Sequence, residues 1–277
     1  MKKILPILFL ILMLGPFILG MGYSLFYSIG WVGALSTGFT LQHWIDLFTA
    51  NDALISLGYS IYLMVLSVLL VLIVAVLISF ILFSSDRKSF PAWYFLPLTF
   101  APVVAGFVWY YILSSSGILS RIVFNLGISS SIDAFPRMVN DLWGIGILVT
   151  HVFLVFPVFT LLFQQIARKE NLYEIRTVSL TLGGSEFQFF RKLYLPIILK
   201  KAYPVIVLYG IFLFGTYEVP LILGVSSPRV VTLFITEKLT KYNLYEIPVG
   251  YAMAVLYGIV VCVAVILLVR KRNVRIV

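Results

Sequence analysis

The sequence predicts an all-α, polytopic membrane protein with about six transmembrane helices and a helical cytoplasmic loop. Three observations carry that prediction. Of 277 residues, 61% are hydrophobic and only 11% charged, with a mean hydropathy of +1.07, whereas soluble domains carry roughly 25% charge. The apolar runs are continuous and reach the length of about 20 residues that a spanning helix needs. None alternates with the period of two that a membrane β-strand would show.

The runs define spans at residues 4–29, 54–83, 92–113, 142–163, 204–223 and 249–269. The first opens M-K-K and continues past signal-peptide length without an A-x-A-like cleavage site, so it reads as a retained span rather than a leader. The connection at 84–89 is short and basic, 114–141 is long and polar, and 226–246 is mixed. Residues 1–50 form an N-terminal helix and outer loop, and 51–277 a transmembrane core.

Basic residues orient the spans. With the N-terminus in the cytoplasm, one side receives Lys2, Lys3, Arg87, Lys88, Arg168, Lys169, Arg176, Arg191, Lys192, Lys200, Lys201, Arg270, Lys271, Arg272 and Arg275. The other receives Arg121, Arg137, Arg229, Lys238 and Lys241, a division of 15 against 5. The positive-inside rule therefore places both termini in the cytoplasm and accounts for most of the net charge of +9. Nucleic acid is not needed as a partner. Cys262 is the single cysteine, which excludes an intrachain disulfide, and two histidines do not build a typical zinc site unaided.

The cytoplasmic segment 167–200 is the most patterned part of the chain. Residues 171–182 read as a helix, with Leu172, Ile175, Val178 and Leu182 near one face and Glu170 and Glu174 toward its N-terminal end. Gly183-Gly184 breaks it. Ser185 is an N-cap and Gln188 completes an S-x-x-Q capping box. A second helix then runs from Glu186 to about Tyr194, presenting Phe187, Phe189 and Phe190, and Pro196 opens the approach to the fifth span. On local chemistry alone, an amphipathic loop lying on headgroups accounts for it equally well.

The segment resembles the "EAA loop" of permease subunits in binding-protein-dependent ABC importers of the type I fold. Gly183 takes the family's glycine position, Gly184 and Ser185 the small pair after it, and Leu193, Leu195 and Pro196 the end; Thr181-Leu182-Gly183 resembles its T-L-G form. Thr177, Val178 and Ser179 stand where the family has glutamate-alanine-alanine, and Glu174 lies one helical turn earlier. The resemblance implies a loop that docks in a groove on a separate cytoplasmic ATPase subunit, whose closure around ATP moves the spans. No G-x-x-x-x-G-K-[ST] occurs here, so the chain has no P-loop, and ATP would be bound by that partner. One loop per chain implies two ATP-binding subunits and a second permease chain, identical or related. An extracytoplasmic solute-binding protein and a bacterial or archaeal cytoplasmic membrane complete the expected setting.

Glu218, in F-G-T-Y-E-V-P, is a carboxylate at apparent membrane depth, flanked by Gly215 and Pro220. Two readings stand. With Tyr217 it lines a pathway for a cationic or polyhydroxylated solute, or it lies near the outer water or pairs with Arg229 or Arg121. Similar F-G-x-x-E-V-P segments in the polyamine-like branch of these permeases name a polyamine. His151 is either a packing histidine or a third pathway residue. Asp141 sits beside Trp143 at an apparent interface, Asp133 and Arg137 lie in the outer loop, and Trp109, Tyr110 and Tyr111 suit an interfacial belt. Neither His43 nor His151 has the neighbourhood of an intramembrane enzyme. The alternative function is a secondary transporter or channel driven by an ion gradient, a class that often shows inverted repeats; none is evident here.

Overall fold

Hydrocarbon offers backbone N–H and C=O groups no partner, and a helix satisfies them internally. The computed structural model describes residues 4–33, 36, 38–85, 92–128, 131 and 134–273. Lys2, Lys3, Arg87, Lys88, Asp133 and Arg275 of the sequence reading lie outside these. The described residues are helical and contain no strand. Six helical stretches are long and apolar enough to cross a membrane: Leu8–Ser28, Asn51–Ser84, Pro102–Asn125, Ile145–Lys169, Glu186–Phe214 and Ile247–Arg270.

Three boundaries differ from the sequence reading, each for a local reason. The run expected at 92–113 divides into a tight 3-10 stretch, Ala92–Thr99, and helix α4, Pro102–Leu113. Pro102 opens α4, where its missing N–H costs nothing. The fourth span, α6 (Ile145–Lys169), starts late because Asn140 and Gly144 both take left-handed backbone conformations. Both oxygens of Asp141 accept the N–H of Ile145 at 3.1 Å. Asp141 is thus a buried cap at a helix start, a role its place beside Trp143 did not signal. The fifth span ends at Phe214, not 223, because Gly215 caps α9 (Leu195–Phe214) and a separate short helix, α10 (Glu218–Leu223), follows. Pro220 sits in the first turn of α10, where no intrahelical donor is needed.

The chain divides into two compact units, Met1–Ser60 with Pro228–Val277, and Ile61–Ser227. In the first, α1 (Ile4–Ser28) packs on α12 (Ile247–Asn273), with the rings of Tyr27 and Tyr251 centred 4.3 Å apart and Gly258 facing Met21. The hydroxyl of Ser60, on the long α3 (Asn51–Ser84), accepts the N–H of Val231 at 2.8 Å and caps α11 (Val231–Thr240). Arg229 pairs with Glu237, which also meets Lys241; Lys238 and Lys241 both pair with Glu246.

The second unit has a continuous core. Val71, Ala75, Val76 and Phe83 of α3 and Phe159, Phe163 and Ala167 of α6 pack with Leu172, Phe189, Tyr194, Ile198 and Ala202. Polar bonds cross between α3 and α6 at a nearly constant offset. Ser67 Oγ meets His151 Nδ1 at 3.0 Å and Gln164 Nε2 donates to the carbonyl of Ser79 at 2.6 Å. Between them Thr160 Oγ1 donates to the Phe156 carbonyl of its own helix at 2.8 Å, with the carbonyl of Ala75 a longer second acceptor at 3.4 Å. Residue numbers on both helices rise together, so the two run parallel and in register. Away from water such bonds contribute on average about 0.6 kcal/mol each.

Phe163→Ala would empty a fully buried position. It is expected to lower unfolding free energy by about 3–5 kcal/mol, read as thermal unfolding of the detergent-solubilised chain. Phe107→Ala, at an outward-facing position, is expected to change it by less than about 0.5 kcal/mol.

Candidate functional site

The patterned segment is a tight helical hairpin. Helix α7 (Leu172–Thr181) ends at Gly183, whose φ of +84° is open to glycine at no steric cost. The N–H of Gly184 bonds the carbonyl of Ser179 and that of Gly183 the carbonyl of Leu180, each at 3.0 Å. That pair of bonds is a Schellman ending. A Cβ on Gly184 would meet the Ser179 oxygen at 2.7 Å, so the second glycine is needed for close approach. The capping box forms as expected: Ser185 Oγ accepts from the Gln188 N–H, and the Ser185 N–H donates to Gln188 Oε1, both at 3.2 Å.

Helix α8 (Glu186–Phe189) runs without interruption through one wide turn, Phe190–Tyr194, into α9. The N–H of Leu195 reaches back five residues to Phe190, a π-type bond. Pro196, which lacks an N–H and crowds the carbonyl four residues earlier, follows immediately. It stands in the first turn of α9, as expected for the approach to the fifth span, although the helical run is continuous through it from α8.

Burial sorts the predicted residues. Phe189 is fully buried against Phe83, with ring centroids 5.9 Å apart, and Phe190 is half-buried on Phe80 at 4.7 Å. Only Phe187 of the three is presented, 66% exposed. On α7, Leu172 is buried, while Ile175, Val178 and Leu182 stand open with Thr177, which donates to the Tyr173 carbonyl at 3.1 Å. Ser179 and Leu195 are half-buried, and Pro196 is exposed. The result is an apolar edge of Val178, Leu182 and Phe187 across the glycine turn.

Four ties that the sequence reading missed hold this segment. Arg176 clamps Glu186 across the turn, its Nε 3.0 and 3.1 Å from the two carboxylate oxygens and its Nη2 closing the fork. Lys201 pairs with Glu170 at 2.9 Å. Deeper, Ser79 Oγ meets the Tyr194 hydroxyl at 2.7 Å and Tyr173 donates to Gln164 Oε1 at 3.4 Å. The first had a signal in opposite charges flanking a turn; Lys201–Glu170 and Ser79–Tyr194 join residues too far apart in sequence to leave one, and Tyr173–Gln164 depends on the break between α6 and α7.

The second candidate is a cavity of about 230 Å3 that brings His151 and Glu218 together with Tyr209, Thr216, Phe100 and Phe212. His151 is buried; Ser67 holds one ring nitrogen, and Nε2 has no protein partner. The buried hydroxyl of Tyr209, which sequence reading passed over, has none either. Tyr217 does not line the cavity and stands at the N-cap of α10. Among the described residues no cation pairs with Glu218, and Arg229 is engaged by Glu237.

Gly184→Ala is expected to open the turn. Limited proteolysis at 181–186 should accelerate while thermal unfolding of the rest is unchanged. Arg176→Ala, removing a partly solvated pair, is expected to cost no more than about 1 kcal/mol.

No family model matches the chain, and no curated protein matches it. Solved structures do. The chain is similar to a bacterial ABC transporter involved in the import of the acidic polysaccharide alginate, with a TM-score of 0.69 and 16% identity over 98% of this chain and 94% of that one. A bacterial alginate ABC transporter in complex with an alginate pentasaccharide-bound periplasmic protein gives 0.69 and 16% over 96% and 91%. This likeness shows the fold, that of an ABC importer transmembrane domain.

Proposed function

We propose that this chain is a permease subunit of an ATP-driven importer, without catalytic chemistry of its own, that forms the solute pathway and receives motion from separate ATPase subunits. The observation that carries this reading is the hairpin: a rigid turn that leaves Val178, Leu182 and Phe187 exposed while its base is locked into the core. Apolar side chains held out on a short helix suit a helix-in-groove partner. The importer fold of the solved neighbours supports the same assignment.

The proposed assembly has two ATP-binding subunits, a second permease chain and an extracytoplasmic solute-binding protein, in a bacterial or archaeal cytoplasmic membrane with both termini and the hairpin on the cytoplasmic side. The periplasmic protein in one neighbouring complex supports the solute-binding partner. Glu218, His151 and Tyr217 are placed on or beside the pathway of a small polar solute. The F-G-T-Y-E-V-P segment names a polyamine as one candidate, and a hydroxylated solute is the other.

Affinity purification from native membranes tests the assignment. An ATP-hydrolysing subunit is expected to co-purify, and Leu182→Asp with Phe187→Asp to reduce it about tenfold or more, as for loss of a central interface contact, at unchanged chain abundance. Transport that survives ATP depletion with no ATPase bound would support an ion-driven transporter instead. Glu218→Gln is expected to reduce uptake of a cationic solute about tenfold, the loss of one hydrogen bond to a charged group. Unchanged uptake would remove Glu218 from the pathway.

A further inference from the structure

The polar bonds between α3 and α6 lie on a line with the cavity at one end and the hairpin at the other. At the cavity end, Ser67 meets Nδ1 of His151, a residue of the cavity wall, at 3.0 Å and leaves Nε2 without a protein partner. Between the two ends Thr160 Oγ1, which donates to Phe156 of its own helix at 2.8 Å, has the Ala75 carbonyl of α3 as a weaker second acceptor at 3.4 Å. At the hairpin end, Gln164 donates to Ser79 and accepts from Tyr173 of α7, while the Ser79 hydroxyl meets Tyr194 in the wide turn leading from α8. Gln164, Ser79, Thr160, Ser67 and His151 are all buried. From Ser67 to Ser79 the ladder extends roughly 18 Å at 1.5 Å per residue.

We propose that this ladder is the transmission of the transporter: it makes α3 and α6 one beam, so that displacement of the hairpin is delivered to the cavity wall at His151. Apolar packing alone resists separation of two helices but leaves sliding and rotation weakly opposed. Hydrogen bonds are directional, and side-chain bonds at a nearly constant offset add resistance to both. The bottom rung is shared with the hairpin through two tyrosines on either side of the glycine turn, so the beam is gripped from α7 and from the α8–α9 junction. The top rung fixes the imidazole that faces the cavity. Ser79, Gln164, Thr160 and Ser67 are therefore positioning residues. The inference rests on the permease reading.

The test uses the purified complex of the chain with its ATPase in lipid nanodiscs. A reporter thiol replaces Leu154 on the cavity wall in a Cys262→Ser background, and its maleimide labelling rate is compared without nucleotide and after trapping with ATP and vanadate. The unmodified ladder is expected to give a nucleotide-dependent change in labelling. Gln164→Leu with Thr160→Val should reduce that change about fivefold to tenfold, the lower part of the usual range for coupling between sites. Complex yield and ATP hydrolysis should stay within about twofold, since the docking edge is untouched. Ser79→Thr, which keeps the hydroxyl, should behave as the unmodified chain. An undiminished labelling change in the double variant would overturn the proposal. So would parallel loss of yield, hydrolysis and labelling, which marks a merely structural role. Failure of any ATPase to co-purify with the unmodified chain is visible before a substitution is made and contradicts the permease reading itself.

Discussion

The amide of Gln164 is the constraint on which the second unit depends. Buried on α6, it donates to Ser79 of α3 and accepts from Tyr173 of α7, while the Ser79 hydroxyl reaches Tyr194. Four elements thus meet at one carboxamide. A buried polar group without partners costs about 1–3 kcal/mol, so this arrangement is stable only when all four are in register. Phe83, Phe163 and Phe189 are fully or almost fully buried in the core of the same unit. The hairpin tip keeps its own ties, the Arg176–Glu186 pair and the Ser185 capping box, and holds its apolar side chains out independently of this amide.

That exposure would otherwise be a liability. Val178, Leu182 and Phe187 gain nothing by facing water, and each would be better buried by roughly 1.5–3 kcal/mol. The Schellman turn, the capping box and the Arg176–Glu186 fork all work against such burial, because each fixes the angle between α7 and α8. Three independent local devices enforcing one exposed edge are hard to reconcile with a passive connection. In the proposed permease, the edge is the surface an ATPase groove covers.

Much of this was legible in the sequence, because the rules involved are local. Helical spans announce themselves through continuous hydrocarbon. Gly183-Gly184-Ser185 with Gln188 specifies a turn and a cap within six residues, so both appear as expected. What failed was anything that depends on the neighbour across the bundle. Phe187, Phe189 and Phe190 are chemically alike, and only the position of α3 decides that Phe189 is buried and Phe187 is not. The cap that Asp141 supplies to Ile145 had no signal, because it depends on Asn140 and Gly144 turning the chain. The fifth span extends too far in the sequence reading because the apolar run continues past Gly215, where the backbone ends one helix and Pro220 sits in the first turn of the next. The α3–α6 bonds join residues 84 and 85 positions apart and leave no trace in either segment alone. Tyr209 had no signal beyond being one of 16 tyrosines.

The central claim is that the edge around Phe187 is covered by a nucleotide-hydrolysing subunit in the membrane. A photo-activatable phenylalanine analogue at position 187, irradiated in native membranes and identified by mass spectrometry, tests it directly. The account predicts an adduct to a single soluble-domain partner carrying a P-loop, whose yield changes when ATP and vanadate are added. Adducts to lipid alone, unaffected by nucleotide, would contradict it.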